Sequence, residues 1–104
     1  MAGSSVVAKR LREARERAGL SQKRLGIRAG IDEFSASPRI NQYERGKHAP
    51  DLLTAERLCR VLNVPLPYLY AKDDRLAEWI LAFGKPDATW RRATRKRVLR
   101  RFKS

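Results

Sequence analysis

Residues 20–31 read LSQKRLGIRAGI. Ser21 is a good helix N-cap, because its hydroxyl oxygen can accept a bond from an otherwise unpaired amide of the first turn. It opens a short predicted helix, QKRLGIRA, and Gly30 stands where a left-handed residue ends one.

Toward the N-terminus, Val7, Leu11, Ala14 and Ala18 recur at i, i+4, i+7 and i+11 with charges between them. That period predicts an amphipathic helix from Val6, with Gly19 as its stop. MAGSS, residues 1–5, reads as a flexible tail. Toward the C-terminus comes IDEFSASPRI. Ser37-Pro38 reads as an N-cap followed by proline at the first helical position, which predicts a third helix to about Arg45 with Gly46 as its stop. KHAPD is a loop, and Asp51 can cap a fourth helix, LLTAERLCRVL, whose apolar positions 52, 55, 58, 59 and 62 form one stripe. NVPLP breaks it, and LPYLYA reads as a fifth helix of a single turn. Asp73 or Asp74 then caps RLAEWILAF. After GKP, Asp87 caps a last helix, ATWRRATRKRVLRRF. No sustained period-2 run and no internal repeat is present, so the expected fold class is all-α.

At 104 residues the chain has room for one compact core. Its 24 Lys and Arg against 11 Asp and Glu give +13, which points to a polyanionic partner, nucleic acid or an anionic membrane surface. Cys59 is the only cysteine, so no intramolecular disulfide and no Cys-rich zinc site can form. On its apolar stripe it reads as a small core residue. His48, the only histidine, reads as a loop residue. No apolar run approaches the roughly 18 residues of a spanning helix, and the N-terminus lacks the basic start and apolar stretch of a signal peptide. The expected location is the cytoplasm. No Ser/His/Asp set, no paired carboxylates in an apolar pocket and no Gly-rich phosphate loop is visible. No enzyme activity, cofactor or metal is therefore expected.

The third helix carries the functional signal. On a wheel of 100° per residue, Ile40 and Tyr43 of SPRINQYERG face the core. Pro38, Asn41, Gln42 and Arg45 face away, with Arg39 beside them. Asn and Gln pair bidentately with adenine, and Arg with guanine. The same face also suits a plain solvated surface.

The framework before that helix resembles the Cro and phage-repressor-like (XRE-type) helix-turn-helix family. The resemblance rests on LSQKRLGIRAGI at 20–31, INQYERGK at 40–47, Pro50 and LNV at 62–64, and covers about residues 6–71. Leu20, Leu25, Ala29, Ile31, Ile40 and Tyr43 match the apolar positions of the motif. Gly26 matches the very small residue needed where the two motif helices cross, and Gly30 matches the turn. The resemblance implies a five-helix DNA-binding domain over 6–71. It implies that Gln22, Lys23, Arg45 and Lys47 contact phosphates, that Ser37, Arg39, Asn41 and Gln42 lie at base-reading positions, and that Arg15 and Glu44 form a structural ion pair. One departure stands out: nine residues separate Gly30 from Ile40, more than the pattern usually has. Either the turn is longer or the third helix starts earlier, near Phe34. Pro38 argues for the longer turn, because interior proline costs a helix about 3 kcal/mol.

Residues 87–104 hold eight Lys or Arg and one acid. Trp90, Thr94, Val98 and Phe102 recur at i+4 among them and form a narrow apolar stripe. Residues 72–104 are therefore expected to form a basic C-terminal helical hairpin that also serves dimerisation. A symmetric dimer surface without the hairpin and a membrane-surface helix are the other fates. Its arginines either add phosphate contacts or only solubilise the helix. The function expected is sequence-specific binding of double-stranded DNA by a homodimeric transcriptional regulator, a repressor on a palindromic operator. An antitoxin-like or adaptor module for protein interaction is the alternative. The short C-terminal third leaves little room for a pocket, so no small-molecule effector and no membrane partner are expected.

Overall fold

The computed structural model describes residues 2–84. In chain order these form α1 (Ala2–Ala18), α2 (Gln22–Arg28), α3 (Glu33–Glu44), α4 (Leu52–Leu62), a 3-10 segment (Leu66–Tyr70) and α5 (Asp74–Gly84). No strand occurs among the described residues, and the fold is all-α. The basic helix expected over 87–104, and with it the second arm of the hairpin, lies outside the described residues.

The core collects one face of each helix. Leu11 of α1, Leu25 of α2, Ile40 of α3, Leu58 of α4 and Tyr68 and Leu69 of the 3-10 segment are its largest fully buried side chains. Ala55, Cys59 and Leu62 complete the inner stripe of α4. Leu52, the first member of the predicted stripe, is exposed instead, since it lies in the opening turn beyond the edge of the core. Ala18 at the end of α1 is exposed for the same reason. Tyr68 is buried, as expected of a packing residue, but its neighbour Tyr70 is half exposed. Burial pushes the Cys59 thiol up to about 11, which suits a packing role. No helix among the described residues is long and apolar enough to cross a membrane.

The caps are local and specific. Ser21 Oγ accepts from Arg24 N at 3.0 Å, and Asp51 Oδ1 accepts from Thr54 N at 2.8 Å. Gly30 turns the chain between α2 and α3 at φ +91°, a region L side chains avoid. Of the two aspartates at the start of α5, Asp73 is the cap, accepting from Leu76 N at 3.0 Å. Asp74 is not a cap. Its carboxylate takes Lys9 at 3.0 Å and Arg10 at 2.9 Å.

Two elements differ from the sequence reading. α1 begins at Ala2 rather than Val6, so residues 2–5, expected as a tail, join the helix. No proline interrupts them, and extending an existing helix avoids the cost of nucleation. The larger correction concerns α3. It starts at Glu33, with Asp32 as N-cap accepting from Phe34 N at 3.1 Å. Ser37-Pro38 is therefore not the cap pair, and Pro38 lies inside the helix. The extra residues lengthen the helix and not the turn. The physical reason lies at Ala36, which is fully buried. A Cβ built on Gly26 would meet Ala36 Cβ at 2.7 Å and Ala36 Cα at 2.9 Å. α2 and α3 thus cross almost backbone to backbone, and the added turn supplies half of that crossing. This packing and the Asp32 cap offset the amide missing at Pro38.

Arg10, which sequence reasoning passed over, fastens α1 to the chain before α5. It is only 3% exposed. Its Nε donates to Ala71 O at 2.8 Å and its Nη2 to Lys72 O at 3.2 Å. Nη1 meets Glu13 at 3.2 Å, and the guanidinium lies over the Tyr68 ring, 5.9 Å from its centroid. A buried cation persists only with this degree of pairing.

Candidate nucleic-acid interface

α3 has two faces. Ala36, Ile40 and Tyr43 point inward and are buried. At 100° per residue, Phe34, Pro38, Gln42 and Arg45 lie within one outward sector, and all four are exposed. Arg39 is exposed to one side of that sector, while Asn41 and Ser37 are half-buried on the other. Of the four predicted base-reading residues, Arg39 and Gln42 therefore stand free of the core, whereas Ser37 and Asn41 lie at its edge.

The half-buried residues are tied into a network that joins three helices. Arg15 of α1 grips Glu44 of α3 with two bonds, Nε to Oε2 at 2.5 Å and Nη2 to Oε1 at 3.0 Å. Its remaining nitrogen donates to Leu20 O at 2.9 Å, just before α2. The Glu44 side chain is only 4% exposed, so an unpaired carboxylate there would be costly. The bidentate bond to Glu44 also raises the Arg15 pKa against the opposing effect of burial. Gln22, at the start of α2, donates from Nε2 to Glu44 Oε1 at 3.2 Å and to Asn41 Oδ1 at 3.4 Å. The sequence reading paired Arg15 with Glu44 and gave Gln22 and Asn41 roles apart from that pair, and the structure brings all four together. The consequence is rigidity, because the docking angle of α3 against α2 is held by hydrogen bonds as well as by the Gly26–Ala36 crossing.

Around this frame the surface is basic. Lys23 is exposed and lies 3.8 Å from Glu33. Arg24 and Arg28 are exposed on α2, and Arg45, Lys47 and His48 at the end of α3. Gly46 ends that helix at φ +72° and sends Lys47 away from the core. Sequence reasoning missed Phe34, which is 88% exposed. The signal was present: Asp32 is a good cap, and a helix begun there puts Phe34 in phase with Pro38 and Gln42.

A short α2 crossing a longer, outward-facing α3 at a glycine is the arrangement of a helix-turn-helix, and residues 11–69 match the sequence profile of the Helix-turn-helix family, more than half of the chain. The chain belongs to the helix-turn-helix family. Within it, the chain is 35% identical over 68 residues to the HTH-type transcriptional regulator ImmR of Bacillus subtilis (strain 168), an alignment spanning 65% of this chain and 50% of ImmR. The chain thus matches half the length of that curated relative. Its fold is also that of a solved protein, described as the crystal structure of transcriptional regulator BswR. The two share 46% identity and superpose with a TM-score of 0.77 over 89% of this chain and 92% of that one.

Proposed function

We propose that this helix-turn-helix chain binds duplex DNA sequence-specifically, laying α3 in the major groove, and that it regulates transcription as a repressor that occludes its operator. The observation that carries this reading is the outward sector of α3. Gln42 and Arg45 project from it with Arg39 at its side, on a helix clamped by the Arg15–Glu44–Gln22 network.

Arg39 and Gln42 read base edges, with Ser37 and Asn41 at the rim of the reading face. Lys23, Arg45 and Lys47 hold phosphates, and Gln22, whose side-chain amide is committed to Glu44 and Asn41, meets the same backbone through the main-chain N–H it presents at the α2 N-terminus. The chain acts as a homodimer through residues 72–104. This part of the reading is supported by α5, which turns Leu76 and Trp79 outward, more than half exposed, beyond what the core consumes. Its operator is then two-fold symmetric, with half-sites about 34 Å apart along the duplex. Such a regulator works in the cytoplasm of a bacterium or of a phage-infected cell, and the reading needs no cofactor.

Selection from a random duplex pool near physiological salt tests the proposal. It expects an enriched palindrome, and Gln42→Ala then relaxes one base position at a cost of about 1–3 kcal/mol. Binding that is indifferent to sequence and vanishes as salt rises would leave only charge attraction and refute base reading.

A further inference from the structure

We propose that Phe34 is a specificity residue of the DNA-reading face and selects thymine through its C5-methyl group. The inference rests on the major-groove reading above. It arises from the added turn of α3, which extends the outward sector by residues 33–37.

A single exposed apolar side chain needs no explanation by itself. Phe34 differs from that case in three ways. It is 88% exposed, the most exposed of the large apolar side chains among the described residues. It lies in register with the polar reading residues, about 20° around the helix from Arg45 and 40° from Pro38. Phe34 and Pro38 are also one turn apart, so the N-terminal half of the sector is an apolar strip and its C-terminal half is polar. The N-terminal end of a recognition helix is the part that meets base edges. In the major groove an apolar side chain finds only one base feature of its own kind, the methyl of thymine.

The charges nearby fit a DNA partner. The two acids at this end are both engaged: Asp32 accepts the Phe34 amide, and Glu33 lies 3.8 Å from Lys23. Arg39 is exposed on the same helix, about 100° around from Pro38. A hydrophobic residue on a convex helix that also carries the exposed Arg39 and Arg45 suits a groove edged by phosphates better than an apolar protein pocket. Because the side chain is 88% exposed, its removal leaves the fold intact, which the circular-dichroism melt of the variant checks.

The test uses the full chain and two readouts. Wild type and Phe34→Ala are each put through the random duplex selection. Wild type is expected to enrich a motif containing a thymine column that flattens in Phe34→Ala while the columns read by Arg39 and Gln42 persist. Replacing that thymine by deoxyuridine deletes one methyl. It should weaken wild type about three- to fivefold, the worth of one buried methyl group, and leave Phe34→Ala unchanged. Phe34→Leu, which keeps an apolar tip, should retain part of the discrimination. An enriched motif with every column intact in Phe34→Ala overturns the role of Phe34 and leaves the DNA-binding reading standing. Uniform weakening on all sequences, or equal sensitivity to the missing methyl in both proteins, overturns it as well. A wild type that enriches no motif overturns both readings together.

Discussion

Gly26→Ala is the most informative single change in this protein. The added Cβ would lie 2.7 Å from Ala36 Cβ and 2.9 Å from Ala36 Cα, whereas carbon atoms rest about 3.5–4.0 Å apart. The two helices must therefore separate by about 1 Å. Neither partner atom can rotate away, because one is a Cβ and the other is backbone. Overpacking of this kind costs about 1–3 kcal/mol, and the rigid contact puts this site at the upper end. Alanine returns up to about 1 kcal/mol of helix propensity, leaving a net loss of about 2 kcal/mol. For a domain of this size that lowers Tm by about 8–16 °C, read by far-UV circular dichroism. The displacement also tilts the reading face, so specific DNA affinity should fall by at least about tenfold. Gly19→Ala is the control. A Cβ there meets nothing within 4 Å, but the backbone sits at φ +70°, so it costs about 1–2 kcal/mol of torsional strain and spares DNA binding at temperatures where the protein is folded. A Gly26→Ala protein that melts at or above the wild-type temperature would refute the close crossing.

Other changes test other parts of the fold. Asp32→Ala removes the α3 cap and should cost about 0.5–2 kcal/mol, with faster hydrogen exchange in the first turn of α3; unchanged exchange would place the helix start elsewhere. Pro38→Ala restores a helical amide, so it should raise stability by about 1–3 kcal/mol, and a lower Tm would contradict the interior placement of Pro38. Lys9 and Arg10 hold the Asp74 carboxyl below its ordinary value of 3.8, and bonds from Thr54 do the same for Asp51. A carboxylate depressed in the folded state contributes stability that is fully present above its ordinary value and lost as pH falls through the lower folded one. Tm should thus hold steady above that value and drop in acid, by less in Asp74→Asn; an identical acid drop in that variant would remove Asp74 from the account. Cys59, buried and with its thiol pushed up to about 11, should react with a disulfide reagent only as the protein unfolds.

Much of this was legible in the sequence. The caps at Ser21 and Asp51 and the glycine stops have local signatures, while the small residue at Gly26 was readable only through the resemblance. The stripes of α1 and α4 were legible because their apolar spacing is regular. The start of α3 was misread because two local signals compete. Ser37-Pro38 is a strong helix opening, and Asp32 is an equally good one five residues earlier. The choice between them is made by a contact distant in sequence, Ala36 against Gly26, which no window of α3 contains. The network at Glu44 is partly readable through the resemblance, but Gln22 bonding to Asn41 needs the crossing angle. Arg10 was invisible for a further reason. One arginine on a helix already rich in them reads as a solvated charge, and only the two carbonyls at Ala71 and Lys72, some sixty positions later, make it a core residue.

The division of α3 into two faces has a consequence for how such a protein can change. Ala36, Ile40 and Tyr43 are committed to packing, while Phe34, Pro38, Gln42 and Arg45 bear on it hardly at all. Substitutions on the second set can alter which DNA is preferred with little penalty in folding. A lineage, or a designer, can thus explore new operators one side chain at a time on an unchanged scaffold, and the turn added at residues 33–37 offers one more position to vary.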